Sequence, residues 1–157
     1  LVWIPQVPPL EPREDGPLEG AYPDGADPKQ AKVYGEPVPC LLLPYESARF
    51  LVIFFHSNAE DLGKCRWFCH FMRDQFQVHV LAVEYPGYGV CSGPPTREGV
   101  IANAHAALQF AMQALKLPLE QIMLFGRSIG TGPALQLASR FKVGGVVLVT
   151  PFLTVRQ

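Results

Sequence analysis

The sequence predicts an α/β protein: a mostly parallel sheet with helices packed on both faces. Three observations carry the prediction. Short, nearly continuous apolar runs alternate with segments of helical spacing from residue 49 onward. Those runs are strand-sized and lack polar alternation, as expected of strands buried on both faces. The order strand, helix, strand, helix, strand, helix, strand is the alternation of a parallel sheet joined by helical crossovers.

The elements follow in order. Residues 1 to 44 hold ten of the sixteen prolines. Pro8-Pro9, Glu11-Pro12 and Asp24-Gly25 mark an extended, loop-rich stretch. Residues 1–30 are assigned to this proline-rich segment and residues 31–157 to the N-terminal portion of one domain. Ala31–Tyr34 and Val38–Leu43 are expected as two short strands joined at Gly35-Glu36-Pro37, and proline confines them to an edge. Phe50–Phe55 is the first buried strand. Asp61 caps the helix after it, whose stripe is Cys65, Phe68, Cys69, Met72 and Phe76. Val78–Val83 is the next strand, and Tyr85-Pro86-Gly87-Tyr88-Gly89 the turn cluster that follows. Thr96 caps a second helix striped by Val100, Ala104, Ala107, Leu108, Ala111 and Leu115. Ile122–Phe125 is a strand, Ile129–Phe141 a helix with Pro133 in its first turn, and Val146–Val149 a last strand.

Bulk properties narrow the function classes. Hydrophobic residues make up 48% of the chain and charged residues 17%, enough apolar material for a core. A net charge of −1 gives no electrostatic reason to expect nucleic acid or an anionic membrane as the main partner. No apolar run reaches the roughly 18 residues of a membrane span. The four cysteines lack the spacing of a disulfide framework. Cys65, Cys69 and His70 form a C-x3-C-H cluster, but positions 65 and 69 share one helix face, where cysteine packs as a small hydrophobe. Cysteine usage points to the cytosol.

The chemistry is concentrated at Gly126-Arg127-Ser128-Ile129-Gly130. As a bare pattern, G-x-S-x-G arises by chance in roughly one chain in twenty of this length. Here a strand runs directly into it and a helix directly out of it, the context of a nucleophile elbow. The sharp turn lifts the Ser128 hydroxyl above the sheet edge, and side chains at positions 126 and 130 would strike the neighbouring helix and strand. Ser128 then sits at a helix N-terminus, where free N–H groups stabilise negative charge. The Ile129 N–H is one expected oxyanion donor. A second is expected from the loop His56-Ser57-Asn58-Ala59-Glu60-Asp61, with the Asn58 N–H preferred to that of Ala59. His56 is expected to be structural, bonding the loop, and Ser57 is a weak rival nucleophile because it lacks an elbow. No glycine-rich phosphate loop follows the first long strand, which disfavours a nucleotide-binding domain.

These motifs resemble a known family. Phe55-His56-Ser57-Asn58-Ala59-Glu60-Asp61-Leu62-Gly63, Glu84-Tyr85-Pro86-Gly87-Tyr88-Gly89 with Ser92-Gly93, and Phe125-Gly126-Arg127-Ser128-Ile129-Gly130-Thr131-Gly132 are similar, in order, to the α/β-hydrolase-domain proteins of the type 13 and type 17 branches. The resemblance runs from about Val38 to Phe152. It implies an α/β-hydrolase fold, with C-terminal strands absent from this chain, and a serine esterase or thioesterase. The type 17 branch comprises depalmitoylases, so the implied substrate is an acyl ester or an S-acylated protein at a membrane, with no metal or organic cofactor. Membrane association through a lipidated N-terminal segment would fit that activity.

Two departures from the family pattern stand out. Ser57 occupies a position usually held by glycine, whose backbone freedom serine lacks. The family's catalytic acid and histidine follow later strands and have no matching positions here. His70 and His105 fall on flanking helices and His79 starts a strand at the far edge, so none is placed to activate Ser128. The competing expectation is therefore a non-catalytic, hydrolase-like binding scaffold. Leu1 in place of methionine, and an apolar strand Val146–Val149 left at the sheet edge, are expected to reflect a longer intact protein.

Overall fold

A computed structural model describes residues 1–6 and 35–151. Among these residues the strands and α-helices follow in order. They are β1 (Val2–Ile4), β2 (Val38–Leu43), β3 (Leu51–Phe55), α1 (Leu62–Phe76), β4 (His79–Val83), α2 (Arg97–Gln113), β5 (Ile122–Arg127), α3 (Thr131–Ala138) and β6 (Gly145–Val149). The strands form one sheet in the order β1-β2-β4-β3-β5-β6. β4, β3, β5 and β6 are parallel, while β1 and β2 add an antiparallel edge.

Strand alternation sorts side chains between the two faces. Leu51, Ile53 and Phe55, with Leu81, Val83, Ile122 and Leu124, pack against Ala104, Ala107, Leu108 and Ala111 of α2 and Ala134 and Leu137 of α3. Phe54, Val80 and Ala82 face the other way, onto Leu62, Cys65, Cys69 and Met72 of α1. Burying a side chain such as Phe54 contributes about 1.5–3 kcal/mol. Cys65 and Cys69 lie in this second cluster with their sulfurs 3.9 Å apart. Their burial accords with the packing role expected of them, and the hydrogen bond with Cys69, followed by burial, pushes the Cys65 thiol up.

Both expected caps are present. The Asp61 carboxylate accepts from the Lys64 N–H at 2.8 Å, and the Thr96 hydroxyl from the Gly99 N–H at 3.1 Å. Each satisfies one amide at a helix start, typically worth ~1 kcal/mol. No helix among the described residues is long and apolar enough to cross a membrane.

Two details differ from expectation, and one expectation falls on residues that the structure does not describe. Val2–Ile4, within the proline-rich segment, pairs with β2 and buries Ile4. The expected strand Ala31–Tyr34 lies outside the described residues. The expected helix Ile129–Phe141 is shorter at both ends: a tight 3-10 turn spans Ser128–Gly130, and α3 runs only from Thr131 to Ala138. At the front, the Thr131 N–H bonds back to the Ser128 carbonyl in a tight 3-10 turn, so regular α-helical bonding begins only at Thr131. At the back the chain turns away after Ala138, and Phe141 is buried beside His105 without being helical.

Candidate active site

β5 delivers Ser128. Its last pairs set Gly126 beside Phe55 of β3 and Arg127 beside Val149 of β6, so Ser128 emerges at the carboxyl edge of the sheet. Ser128 has φ +52°, a conformation that L-residues other than Asn and Asp rarely adopt. The surroundings dictate the flanking glycines. A Cβ on Gly126 would lie 2.5 Å from the Gly130 carbonyl oxygen and 2.7 Å from the Thr131 Cα. A Cβ on Gly130 would run into the Phe55 and His56 carbonyls. The two glycines are thus fixed by the helix start on one side and the β3 end on the other, as the motif predicts. The Thr131 hydroxyl donates to the Ser128 carbonyl at 2.7 Å and closes the turn.

The loop after β3 begins beside this turn. His56 is fully buried. Its Nδ1 lies 3.0 Å from the Ser57 carbonyl and its Nε2 2.8 Å from Glu84 Oε1. Both ring nitrogens face oxygen acceptors, so neither is left to take a proton from Ser128. The imidazole is structural, as its position at the strand end suggested. Glu84, at the end of β4, is also buried. Its other oxygen accepts the Leu62 N–H at 3.0 Å, in the first turn of α1. A buried carboxylate is tolerable only when so paired. The Tyr85 hydroxyl, buried against the His56 ring, donates to the His56 carbonyl at 2.7 Å. Burial first, then the negative charges around it, push the Tyr85 phenol well up, so it stays a donor.

Asn58 is exposed and its side-chain oxygen accepts from the Tyr88 hydroxyl. The turn cluster after β4 therefore holds the loop that carries Asn58 and Ala59. Gly87 and Gly89 have φ of +79° and +49°, and a Cβ on Gly89 would strike the Glu84 carboxylate. Ser57 is not among the described residues with left-handed backbone. The loop therefore accepts serine where the family has glycine, and the hydroxyl is used: it donates to Glu60 Oε2 at 2.8 Å. Ser57 has no left-handed elbow backbone of the kind that holds Ser128. Glu60 in turn pairs with Arg127, beside Ser128.

The remaining histidines lie away from Ser128. His79, at the opposite end of the sheet, accepts the Tyr45 N–H at 3.2 Å. His70 is on α1. His105 is buried on α2, where desolvation first and Arg140 second depress its basicity. Among the described residues no imidazole hydrogen-bonds Ser128.

Motif reading missed four residues: Glu60, Glu84, Tyr85 and Arg127 were quoted only as parts of motifs. A usable signal existed for Glu84. A carboxylate that directly ends a buried strand needs a partner, and His56 ends the adjacent strand. Glu60 and Arg127 carried a weaker one, opposite charges on segments that both leave the same sheet edge.

Comparison with known proteins agrees with this geometry. Residues 63–155 match the family model described as "Alpha/beta hydrolase of unknown function (DUF1057)". The chain is 33% identical over 118 residues to the α/β hydrolase domain-containing protein aho-3 of Caenorhabditis elegans, covering 74% of this chain and 36% of that protein. It is 35% identical over 108 residues to the human α/β hydrolase domain-containing protein 17C, covering 69% and 33%. The chain thus spans about a third of the length of these curated relatives. Among solved structures, the esterase LipW from Mycobacterium marinum superimposes with a TM-score of 0.61 at 19% identity, covering 78% of this chain and 42% of that one. A bacterial heroin esterase does so with a TM-score of 0.62 at 18% identity, covering 76% and 41%. At these identities the structures speak for the fold alone.

Proposed function

The chain belongs to the α/β-hydrolase family, and from that premise we propose that Ser128 is the nucleophile of a serine hydrolase cleaving acyl esters or thioesters. One observation carries the reading: Ser128 holds a left-handed backbone on a strand-to-helix turn whose flanking glycines are sterically required. Such strain persists where the surroundings over-determine it, and it clusters at functional sites.

In the proposed reaction Ser128 Oγ attacks the acyl carbonyl carbon, and the carbonyl oxygen becomes an oxyanion. The N–H groups of Ile129 and Asn58 donate to it. The Ser128 proton passes to a histidine, oriented by an acid, and then to the departing alcohol or thiol. Neither group is assigned among the described residues. Water cleaves the acyl-enzyme and restores Ser128. Gly126 and Gly130 let the elbow pack against the helix start and the end of β3.

The resemblance to the type 17 branch favours S-acyl thioesters on membrane-bound proteins, with the enzyme at the cytoplasmic side of the membrane. Full-length protein tested on p-nitrophenyl butyrate and on an S-palmitoylated peptide examines both levels. Turnover of both that disappears in Ser128→Ala is the expected result. Turnover of the ester alone would remove the thioesterase reading. Neither turnover would favour the non-catalytic scaffold.

A further inference from the structure

We propose that Glu60 and Arg127 form a positioning latch that holds the oxyanion loop onto the nucleophile elbow. The inference rests on the serine-hydrolase reading above and adds two residues to its machinery. The Glu60 carboxylate has two separate tasks, one for each oxygen. Oε2 accepts from the Ser57 N–H at 3.1 Å and from the Ser57 hydroxyl at 2.8 Å. With the Glu60 N–H donating to the Ser57 carbonyl at 3.2 Å, the segment 57–60 is closed on itself. Oε1 accepts from the Arg127 guanidinium, 67 residues away in sequence and adjacent to Ser128.

The rest of Arg127 is fixed as well. Its guanidinium lies over the Phe68 ring at 5.2 Å and the Phe54 ring at 6.0 Å. Phe68 is on α1 and Phe54 on β3, so the cation is braced from both elements that bracket the loop. A planar guanidinium both stacks on aromatic faces and pairs with carboxylates, which suits it to this position. The pair is half-buried at the carboxyl edge, where a charge-assisted hydrogen bond gains strength over one in open water.

The consequence concerns distance between donors. Asn58 and Ala59 lie inside the closed segment, and Ile129 lies two residues after Arg127. The latch therefore ties together the two backbone segments whose N–H groups must converge on one oxyanion. Such a device acts on the transition state and not on substrate affinity, because the charge it helps to stabilise develops only during reaction.

The test is a double-mutant cycle on the full-length protein with Glu60→Gln, Arg127→Met and the combination, read by p-nitrophenyl butyrate kinetics. Hydrogen exchange of the peptide spanning 56–62 provides a second readout. Each single variant is expected to lower kcat by about tenfold, less than the roughly 10²–10³ that outright loss of an oxyanion donor costs, with KM held within about twofold. The double variant should fall no further, because both changes open one latch. Exchange in the 56–62 peptide should rise equally in all three. Ser57→Ala, which leaves the ion pair in place, should give a smaller drop in kcat. Unchanged kcat in the single variants, multiplying losses in the double variant, or a rise in KM alone would each overturn the latch. A wild-type protein without Ser128-dependent turnover would defeat the proposed function. The latch is then judged on exchange alone, where an unchanged 56–62 peptide overturns it.

Discussion

The carboxyl edge of the sheet and the outer strand β6 are built on opposite plans. At the carboxyl edge almost every polar group is assigned. His56, Glu84, Tyr85, Glu60, Arg127 and the Thr131 hydroxyl each have a named partner, and the backbone at Ser128 is held in a rare conformation. β6 is apolar and loosely covered, with Val146, Val147 and Val149 all more than a third exposed. The neighbouring strand shows the same contrast across its two faces. Ile122 and Leu124, toward α2 and α3, are fully buried, while Met123 and Phe125 on the opposite face are only partly so. The core stabilises one side of β5, while the polar network and the ladders to β3 and β6 hold its tip.

The largest expected effect comes from filling the space beneath the elbow. Gly130→Ala places a methyl group against the β3 carbonyls. Activity of the full-length protein should fall by roughly a thousandfold or more, since even one lost oxyanion donor costs 10²–10³. Activity within tenfold of wild type would show that the elbow is not sterically fixed.

Next is Glu84→Ala, which strands the buried His56 ring and the Leu62 N–H. Breaking a buried pair by removing one partner costs about 3–5 kcal/mol. Urea unfolding should show that loss, and a loss below about 1 kcal/mol would mean that the His56–Glu84 pair is not part of the scaffold.

A direct comparison of strands comes third. Leu124→Ala should destabilise the chain by about 2–5 kcal/mol, whereas Val147→Ala, on β6 opposite Phe125 and exposed, should cost under about 1 kcal/mol. Equal costs would erase the distinction between the closed and open sides of the sheet.

The smallest effect is a pH dependence. Burial pulls the Glu60 carboxyl upward, but hydrogen bonds from Arg127 and Ser57 outweigh it, so its net shift is downward. A carboxyl depressed in the folded state contributes stability above its unfolded pKa, and loses it as pH falls through the folded value. The expected contribution is under about 1 kcal/mol, because the pair is partly solvated. The difference in stability between wild type and Glu60→Gln should therefore shrink as pH falls into the acid range. A difference that does not change with pH would contradict the depressed carboxyl.

What was legible in the sequence follows from which forces act locally. The strands at 51–55, 79–83 and 122–127 declare themselves because burial on both faces leaves a continuous apolar run, and the helices at 62–76 and 97–113 because burial on a period of 3.6 leaves a visible stripe. The elbow was legible because steric necessity selects glycine at 126 and 130. β1 was not, since three residues ahead of Pro5 form a strand only through pairing with β2. The polar network was the least legible. Glu84 reaches His56 across 28 residues and Arg127 reaches Glu60 across 67, and neither pairing is dictated by spacing. The shortened third helix has the same origin, because the turn at Ser128 is set by contacts with β3.

The central claim is that Ser128 is an activated nucleophile. The most direct measurement is the mass of full-length protein after reaction with a fluorophosphonate, with the modified peptide sequenced. A single adduct on Ser128, absent in Ser128→Ala, is the predicted result. An unmodified protein, or an adduct elsewhere that survives Ser128→Ala, would contradict it.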